Sequence, residues 1–210
     1  MPLTVQVVSD YVCPYCFLAE GPLNEALVEL GEDVTVEWLP FELRPHPTPT
    51  LRPEGDYLQK GWAASVYPLA EKMGVKIVLP RVSPQPYTRL AFEGSLYARD
   101  HGKAAEYNHR MFTAFFQDER DIGVADVLVQ CAEEIGLDGA PFRASLDRGA
   151  YREECGALLR LTRDVWGVSS VPTFVIDSRI AIPGMLPKET LVQVLKEHLA
   201  RGDEPAAQTD

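Results

Sequence analysis

The feature that most constrains this chain is a Cys-x-x-Cys pair between a strand pattern and a helix pattern. Residues Leu3–Val8 form a short run of apolar and β-branched residues, which is typical of a buried strand. Cys13-Pro14-Tyr15-Cys16 follows. Pro14 favours a helix that begins at the pair, because proline lacks an N–H and the N–H groups of a first helical turn have no partner within the helix. We predict that this helix ends at about Leu30, before Gly31.

A second strand pattern completes a supersecondary unit. Val34–Leu39 is again apolar and β-branched. A strand, a helix and a strand in succession form a βαβ unit, in which the two strands are parallel. The cysteine pair then lies at the carboxyl end of the first strand, where α/β sheets usually bind ligands.

The middle of the chain predicts helices rather than strands. Residues 44–55 contain four prolines, which favour a loop. From Asp56 to about residue 167, apolar residues recur at helical spacing, so we predict an almost purely helical block. Strand patterns return at Thr173–Ile176 and Arg179–Ile182, which predict a hairpin. Pro187 then opens a last amphipathic helix, and a polar tail follows about Gly202.

The charge balance excludes several classes of partner. The chain has 31 Asp and Glu against 20 Lys and Arg, and its formal net charge of -11 repels phosphate backbones and anionic lipid headgroups. We therefore expect neither nucleic acid nor a membrane as a partner. The amino terminus lacks a signal-peptide pattern, and no apolar run is long enough to suggest a membrane span, so we predict a cytoplasmic protein.

The closely spaced cysteines predict redox or metal chemistry, since static disulfides are uncommon in the cytoplasm. A metal site would need further ligands, but Cys131 and Cys155 are single residues on apolar helical stripes and the histidines have no ligand spacing. We predict no metal site, and we interpret Cys131 and Cys155 as small buried hydrophobes.

Redox chemistry assigns a different role to each cysteine of the pair. At a helix start, unpaired N–H groups and the positive end of the helix dipole favour a thiolate, so we expect Cys13 to be an accessible nucleophile. Cys16 lies one turn further along the helix, and we expect it to be more buried and to resolve a mixed disulfide. This chemistry needs no cofactor beyond the redox-active Cys13–Cys16 disulfide.

Three segments carry a resemblance to a known family: Ser9–Cys16 (SDYVCPYC), Phe41–Pro45 (FELRP) and Gly167–Phe174 (GVSSVPTF). They resemble the DsbA-like thioredoxin-fold oxidoreductases, specifically the FrnE-like branch, and the likeness covers nearly the whole chain. It implies an α/β thioredoxin fold (βαβ…ββα) with strand order 2-1-3-4 and an all-helical insertion. The thioredoxin-like domain would comprise residues 1–55 and 168–210, and the insertion residues 56–167.

The resemblance also implies how substrate is bound. Pro172 would be a cis proline that faces the cysteines, and Val171 would offer its backbone to a bound peptide or thiol like an added strand. Pro14 and Tyr15, between the cysteines, complete the expected substrate-binding residues. By the same resemblance Cys13 attacks and Cys16 resolves.

We therefore predict a thiol-disulfide oxidoreductase that acts on protein or low-molecular-weight disulfides, with glutathione as one candidate thiol partner. Two alternatives stay open. One is a glutathione-dependent transferase or isomerase of the kappa-class or 2-hydroxychromene-2-carboxylate isomerase type, whose members typically carry Ser at the leading position. The other is a chaperone-like binding module, whose exposed aromatic residues would include Phe41, Trp62, Tyr87 and Phe116.

Overall fold

A mixed sheet forms the centre of the protein. The computed structural model describes residues 2–202, and the strands are β1 (Leu3–Ser9), β2 (Val34–Pro40), β3 (Thr173–Ile176) and β4 (Ile180–Pro183). Their order is β2-β1-β3-β4, with β1 parallel to β2 and antiparallel to β3. The predicted order and the predicted parallel pair are confirmed. The predicted polar tail lies outside the described residues.

Two helices of the thioredoxin part cover one face of this sheet. Helix α1 (Pro14–Leu30) joins β1 to β2, and it ends where Gly31 adopts a φ of 69°. The last helix, which we label α9 (Lys188–Gly202), follows β4. Apolar residues of α1 and α9 form one buried cluster with Val5 and Val7 of β1. Val8 belongs to a separate cluster on the other face, so β1 is buried on both sides, as its nearly continuous apolar run predicts.

The inserted helices lie between β2 and β3. They are α2 (Asp56–Gly61), α3 (Tyr67–Met73), α4 (Arg89–Asp100), α5 (Ala104–Phe116), α6 (Ala125–Glu134), α7 (Gly139–Asp147) and α8 (Arg152–Arg160). A π-helical turn over Trp62–Val66 joins α2 to α3, and another over Leu161–Val165 continues α8. The α/β fold class with a helical insertion is confirmed, and we propose residues 56–167 as the extent of that insertion.

The predicted helical block is interrupted, and the predicted hairpin is shifted by one residue. Residues 75–88 form no helix, since prolines at 80, 84 and 86 remove backbone donors. In the hairpin, Asp177 and Ser178 have positive φ, and Arg179 donates its N–H to the carbonyl of Ile176 at 3.0 Å. Arg179 therefore belongs to the turn, and β4 extends to Pro183, which an edge strand tolerates.

The insertion shares one hydrophobic core with the start of α1. Phe17 of α1 stacks on Phe112 and Phe116 of α5 with ring centroids 5.8 and 5.7 Å apart. One turn later, the buried Glu20 accepts hydrogen bonds from Asn108 and His109, each at 3.0 Å. These contacts hold the cysteine-bearing end of α1 against the insertion.

Three of the four aromatic residues named for the chaperone-like alternative are buried. Phe41, Trp62 and Phe116 are buried, and Tyr87 is half-buried. Tyr87 also uses its hydroxyl to donate to the carbonyl of Thr48 at 3.0 Å. In addition, none of the helices in residues 2–202 has the length and apolar character that a bilayer crossing requires.

The close approach of α4, α5 and α7 leads to a prediction about Gly94. A Cβ on Gly94 would collide with the Tyr107 ring and lie 2.9 Å from Cζ of Phe142. Gly94→Ala is therefore expected to lower the free energy of unfolding by about 1–3 kcal/mol, which urea denaturation would measure. The matched control is Gly61→Ala, where a Cβ meets nothing and helix propensity predicts a gain of up to ~1 kcal/mol. Equal stability of Gly94→Ala and the wild-type chain would contradict the packing argument.

Candidate active site

Backbone hydrogen bonds fix the cysteine pair at the positive end of α1. Cys13 precedes the helix with extended backbone angles, and its N–H donates to the carbonyl of Asp10 at 3.0 Å. Its own carbonyl accepts the N–H groups of Cys16 at 3.1 Å and Phe17 at 3.4 Å. Pro14 opens the helix, as predicted. The Cys13 side chain is thus held where the helix dipole favours negative charge.

The leading cysteine faces the residue before a cis proline. The Val171–Pro172 peptide bond is cis, and Sγ of Cys13 donates to the carbonyl oxygen of Val171 at 3.5 Å. The Pro172 carbonyl accepts the N–H of Gly184 at 2.8 Å, which ties this segment to the end of β4. Residues more than 150 positions apart in sequence therefore meet at one sulfur atom.

A cleft of about 490 Å³ opens over this contact. Cys13, Pro14, Tyr15 and Val171 line the cleft, whereas Cys16 and Pro172 are buried behind it. The structure therefore brings all six predicted site residues together, but only four of them reach the cavity. Cys13 itself is just 4% exposed, so it is more enclosed than the sequence led us to expect.

The insertion supplies one wall of the cleft. Leu58, Trp62 and Val66 line it with their apolar side chains. The hydroxyl groups of Tyr15 and Ser65 are 2.8 Å apart, and Ser65 Oγ also donates to the carbonyl of Gly61 at 2.8 Å. The dipeptide between the cysteines is therefore linked directly to the π-helical turn of the insertion.

Asp10 is a site residue to which the sequence assigned no role. It is the single acidic residue that lines the cleft within residues 2–202, and it is 1% exposed. Its Oδ2 accepts the N–H of Leu43 at 2.8 Å, while Oδ1 lacks a partner of acceptable geometry among the described residues. Burial raises the pKa of Asp10 from 3.8 to about 6, although the hydrogen bond from Leu43 opposes this shift. The one sequence signal for this role was that Asp10 lies three residues before Cys13, in the SDYVCPYC segment.

The second cysteine is the more protected of the pair. Cys16 is 0% exposed, and burial raises the pKa of its thiol well above the ordinary value. The neighbouring Cys13 also raises the pKa of Cys16, and so does the negative charge of Asp10. Both cysteines are free thiols in this structure. A thiol so placed needs a nearby proton acceptor before it can act as a nucleophile.

The Phe41–Pro45 segment supports the site from behind. Glu42 is buried, and its Oε2 accepts hydrogen bonds from Nε and Nη2 of Arg89 at 3.2 and 2.8 Å. Arg163 donates to the Glu42 carbonyl at 2.6 Å and lies 4.7 Å above the Phe41 ring. These contacts fix the neighbouring Leu43, whose N–H reaches Asp10. Arg44 of the same segment is the single basic side chain on the cleft in the described part of the chain.

The two remaining cysteines play no part in this cleft. Cys131 and Cys155 are fully buried on α6 and α8, which confirms their interpretation as small core residues. Burial raises the pKa of Cys131 above its ordinary value, and it raises the pKa of Cys155 to about 12. Both side chains therefore remain neutral thiols.

Comparisons with known proteins agree with this architecture. A family model described as a DSBA-like thioredoxin domain matches residues 4–196. The uncharacterized protein YwbO of Bacillus subtilis is 44% identical over 198 residues, which cover 94% of this chain and 98% of that protein. The probable DsbA oxidoreductase SCO1869 of Streptomyces coelicolor superposes with a TM-score of 0.80 at 23% identity, covering 99% of this chain and 94% of that one. A 2-hydroxychromene-2-carboxylate isomerase structure gives a TM-score of 0.74 at 17% identity, with coverages of 95% and 97%. The two structural likenesses concern the fold alone.

The raised pKa of Asp10 predicts a pH-dependent cost to stability. The folded protein retains a proton on Asp10 up to about pH 6, whereas the unfolded chain releases it near pH 4, so ionisation destabilises the fold progressively over this interval and fully above it. Asp10→Asn keeps an acceptor for the Leu43 N–H and removes this cost. Under reducing conditions we expect the variant to be more stable at pH 7.5, by on the order of 2–3 kcal/mol, with the gain vanishing towards pH 4.

Urea denaturation at a series of pH values between 4 and 8 would measure this difference. Asp33→Asn, at an exposed position, is the control and should show no such pH-dependent gain. A gain for Asp10→Asn that does not change with pH would contradict the assignment of the cost to a buried carboxylate.

Proposed function

Because the chain belongs to the DSBA-like thioredoxin domain family, we propose that it is a thiol-disulfide oxidoreductase that works through Cys13 and Cys16. The observation that carries the proposal is the arrangement of the two thiols. Cys13 lines the cleft at the start of α1, within hydrogen-bonding distance of the Val171 carbonyl, and Cys16 is buried behind it. One sulfur is thus available to a substrate, and the other is protected from it.

The first step is attack by the Cys13 thiolate on one sulfur of a substrate disulfide. An S–S bond forms between Cys13 and that sulfur, and the other substrate sulfur leaves as a thiolate and takes up a proton. The positive end of the α1 dipole, at which Cys13 lies, stabilises negative charge on the attacking sulfur before the reaction. The S–H contact with the Val171 carbonyl is lost when Cys13 ionises, and this frees that carbonyl for a substrate donor.

The second step is attack by Cys16 on the Cys13 sulfur of the mixed disulfide. The Cys13–Cys16 disulfide forms, and the second substrate sulfur leaves as a thiolate, so that one disulfide is reduced while the protein dithiol is oxidised. The Cys16 proton must leave a buried position. We assign its acceptance to the carboxylate of Asp10, which lines the cleft beside Cys13 and whose charge acts on Cys16. The reverse sequence oxidises a substrate dithiol.

Val171 and Pro172 provide the surface on which a substrate is positioned. The N–H of Val171 makes no hydrogen bond within residues 2–202, and it lies beside the carbonyl that faces Cys13. An extended substrate segment can therefore pair with Val171 as a short added strand. Pro14 and Tyr15 line the cleft next to Cys13, and the hydrogen bond to Ser65 restrains the Tyr15 ring.

The cleft favours a small or extended disulfide over a folded surface. A volume of about 490 Å³ accommodates a low-molecular-weight disulfide or one extended peptide segment. Arg44 offers a partner for a substrate carboxylate, which makes glutathione a candidate thiol. We propose no cofactor beyond the Cys13–Cys16 disulfide, no nucleic acid or membrane partner, and a cytoplasmic location, where a net charge of -11 and a dithiol are both compatible with the surroundings.

The proposal predicts distinct outcomes for the two cysteine variants. When the reduced protein reacts with a small disulfide such as oxidised glutathione, the wild-type chain should release both substrate thiols. Cys16→Ser should release one thiol and retain the other as an adduct on Cys13, because nothing resolves the mixed disulfide. Cys13→Ser should react no faster than the uncatalysed background. Thiol release and intact-protein mass spectrometry measure these outcomes.

Cys131→Ser provides the matched control, since Cys131 is buried in α6 and far in sequence from the cleft residues. Its stoichiometry of thiol release should equal that of the wild-type chain. Full turnover by Cys13→Ser would refute the redox proposal. If that variant instead conjugated or isomerised substrates with reduced glutathione, the glutathione-dependent alternative would replace it.

A further inference from the structure

The Phe41–Pro45 segment also contributes to a second, smaller pocket. Leu43 and Arg44 of this segment line the cleft, whereas Glu42 and Pro45 line the second pocket, whose volume is about 210 Å³. The rest of its wall comes from the start of α4 and from α8 with its π-helical continuation. Three guanidinium groups belong to this wall, those of Arg89, Arg160 and Arg163.

Only part of the Arg89 guanidinium is used by the fold. Its Nε and Nη2 donate to the buried carboxylate of Glu42. Its Nη1 has no hydrogen-bond partner in the part of the chain that the structure describes. Arginine presents its donors as a rigid planar fork, so a fork held on one side by Glu42 offers the remaining donor in a fixed direction.

Arg160 brings a second, unpaired guanidinium to the same place. It forms no ion pair and no hydrogen bond with any residue from 2 to 202. A Cβ built on Gly156, between the two arginines, would lie 3.5 Å from Nη1 of Arg160 and 3.7 Å from Nη1 of Arg89. The two nitrogens are therefore within about 7 Å of each other, which is a span that one oxyanion can bridge with hydrogen bonds to both.

The third arginine adds charge without neutralising the pocket. Arg163 donates to a main-chain carbonyl, that of Glu42, and packs over the Phe41 ring, so its positive charge has no carboxylate partner among the described residues. The acidic residues of the wall are Glu42, which is engaged by Arg89, and Asp164, which forms no ion pair in the same residues. A locally cationic pocket thus occurs in a chain whose formal charge is -11.

We propose that this pocket binds a small oxyanion, a phosphate or carboxylate group, between Arg160 and Nη1 of Arg89. Charge-assisted hydrogen bonds from guanidinium to oxyanion are among the stronger polar contacts in proteins, and the lack of a Cβ on Gly156 leaves room for them. A bound oxyanion would connect α4 to α8 beside the segment that holds Leu43 against Asp10. The proposal does not depend on the redox function.

Titration with phosphate, and separately with acetate, tests the site on the full-length protein. Potassium chloride is adjusted to keep the ionic strength constant, and the midpoint of thermal unfolding is the readout, because a ligand that binds only the folded state raises it by mass action. The wild-type midpoint should rise and saturate with one or both anions. Saturation with phosphate alone identifies a tetrahedral oxyanion as the ligand, and saturation with acetate alone identifies a carboxylate.

Two substitutions separate this site from a general charge effect. Arg160→Gln is expected to weaken the apparent affinity at least tenfold, while Arg148→Gln removes an equal charge at an exposed position in α7's C-terminal cap and should leave the affinity unchanged. Asp164→Asn removes a carboxylate from the wall and should tighten binding several-fold. No saturable rise with either anion, or equal weakening by Arg160→Gln and Arg148→Gln, would overturn the proposal.

Discussion

The packing of the first turns of α1 against the aromatic residues of the insertion is the constraint on which the candidate site depends. Tyr11, just before α1, stacks on Phe92 with ring centroids 4.7 Å apart, and Phe17, near the start of α1, packs on Phe112 of α5. Trp62 packs on Phe116 at 5.9 Å while its other side lines the cleft. One core therefore fixes both the cysteine-bearing helix and the wall that faces it. Loosening this core would move the sulfur atoms and the cleft together.

The site contains a buried carboxyl group that lowers the stability of the fold. A carboxyl group buried beside a cleft, with one oxygen unpartnered, is unfavourable in its charged form, yet Asp10 occupies this position. Perturbed groups of this kind are concentrated at functional sites, because chemistry needs protonation behaviour that an apolar core does not offer. The ion pair between Glu42 and Arg89 does not touch the cysteines. It holds the segment that contains Leu43, whose backbone N–H donates to Asp10.

Local signals in the sequence were sufficient for much of the fold. The bounds of β1 and α1 follow from an apolar run, from Pro14 at a helix start and from Gly31 after its end, all of which act within a few residues. The start of α7 also has a local signal, which the sequence analysis did not use. Asp138 is a favourable N-cap residue, and its side chain accepts the N–H of Ala140 at 3.0 Å. The interruption after α3 was also readable from its prolines.

The sequence predicted those residues of the candidate site that belong to a recognisable motif. Cys13 and Cys16 follow from their spacing, whereas Val171 and Pro172 depended on a family resemblance because they lie at the other end of the chain. The role of Asp10 depends on its burial and on its hydrogen bond with Leu43, which is 33 positions away. A contact over this distance in sequence cannot be predicted from hydrophobic periodicity. The arginine pocket combines α4, α8 and its π-helical continuation with the Phe41–Pro45 segment, so tertiary structure alone creates it.

The distribution of the cysteines has a practical consequence for handling the protein. Cys16, Cys131 and Cys155 are completely enclosed, and Cys13 is the one thiol of the four that borders the cleft. We therefore expect the native reduced chain to react with electrophiles at a single thiol, that of Cys13. A fluorophore, spin label or cross-linker can be attached at the mouth of the cleft without first removing the other cysteines, and loss of that selectivity would report unfolding.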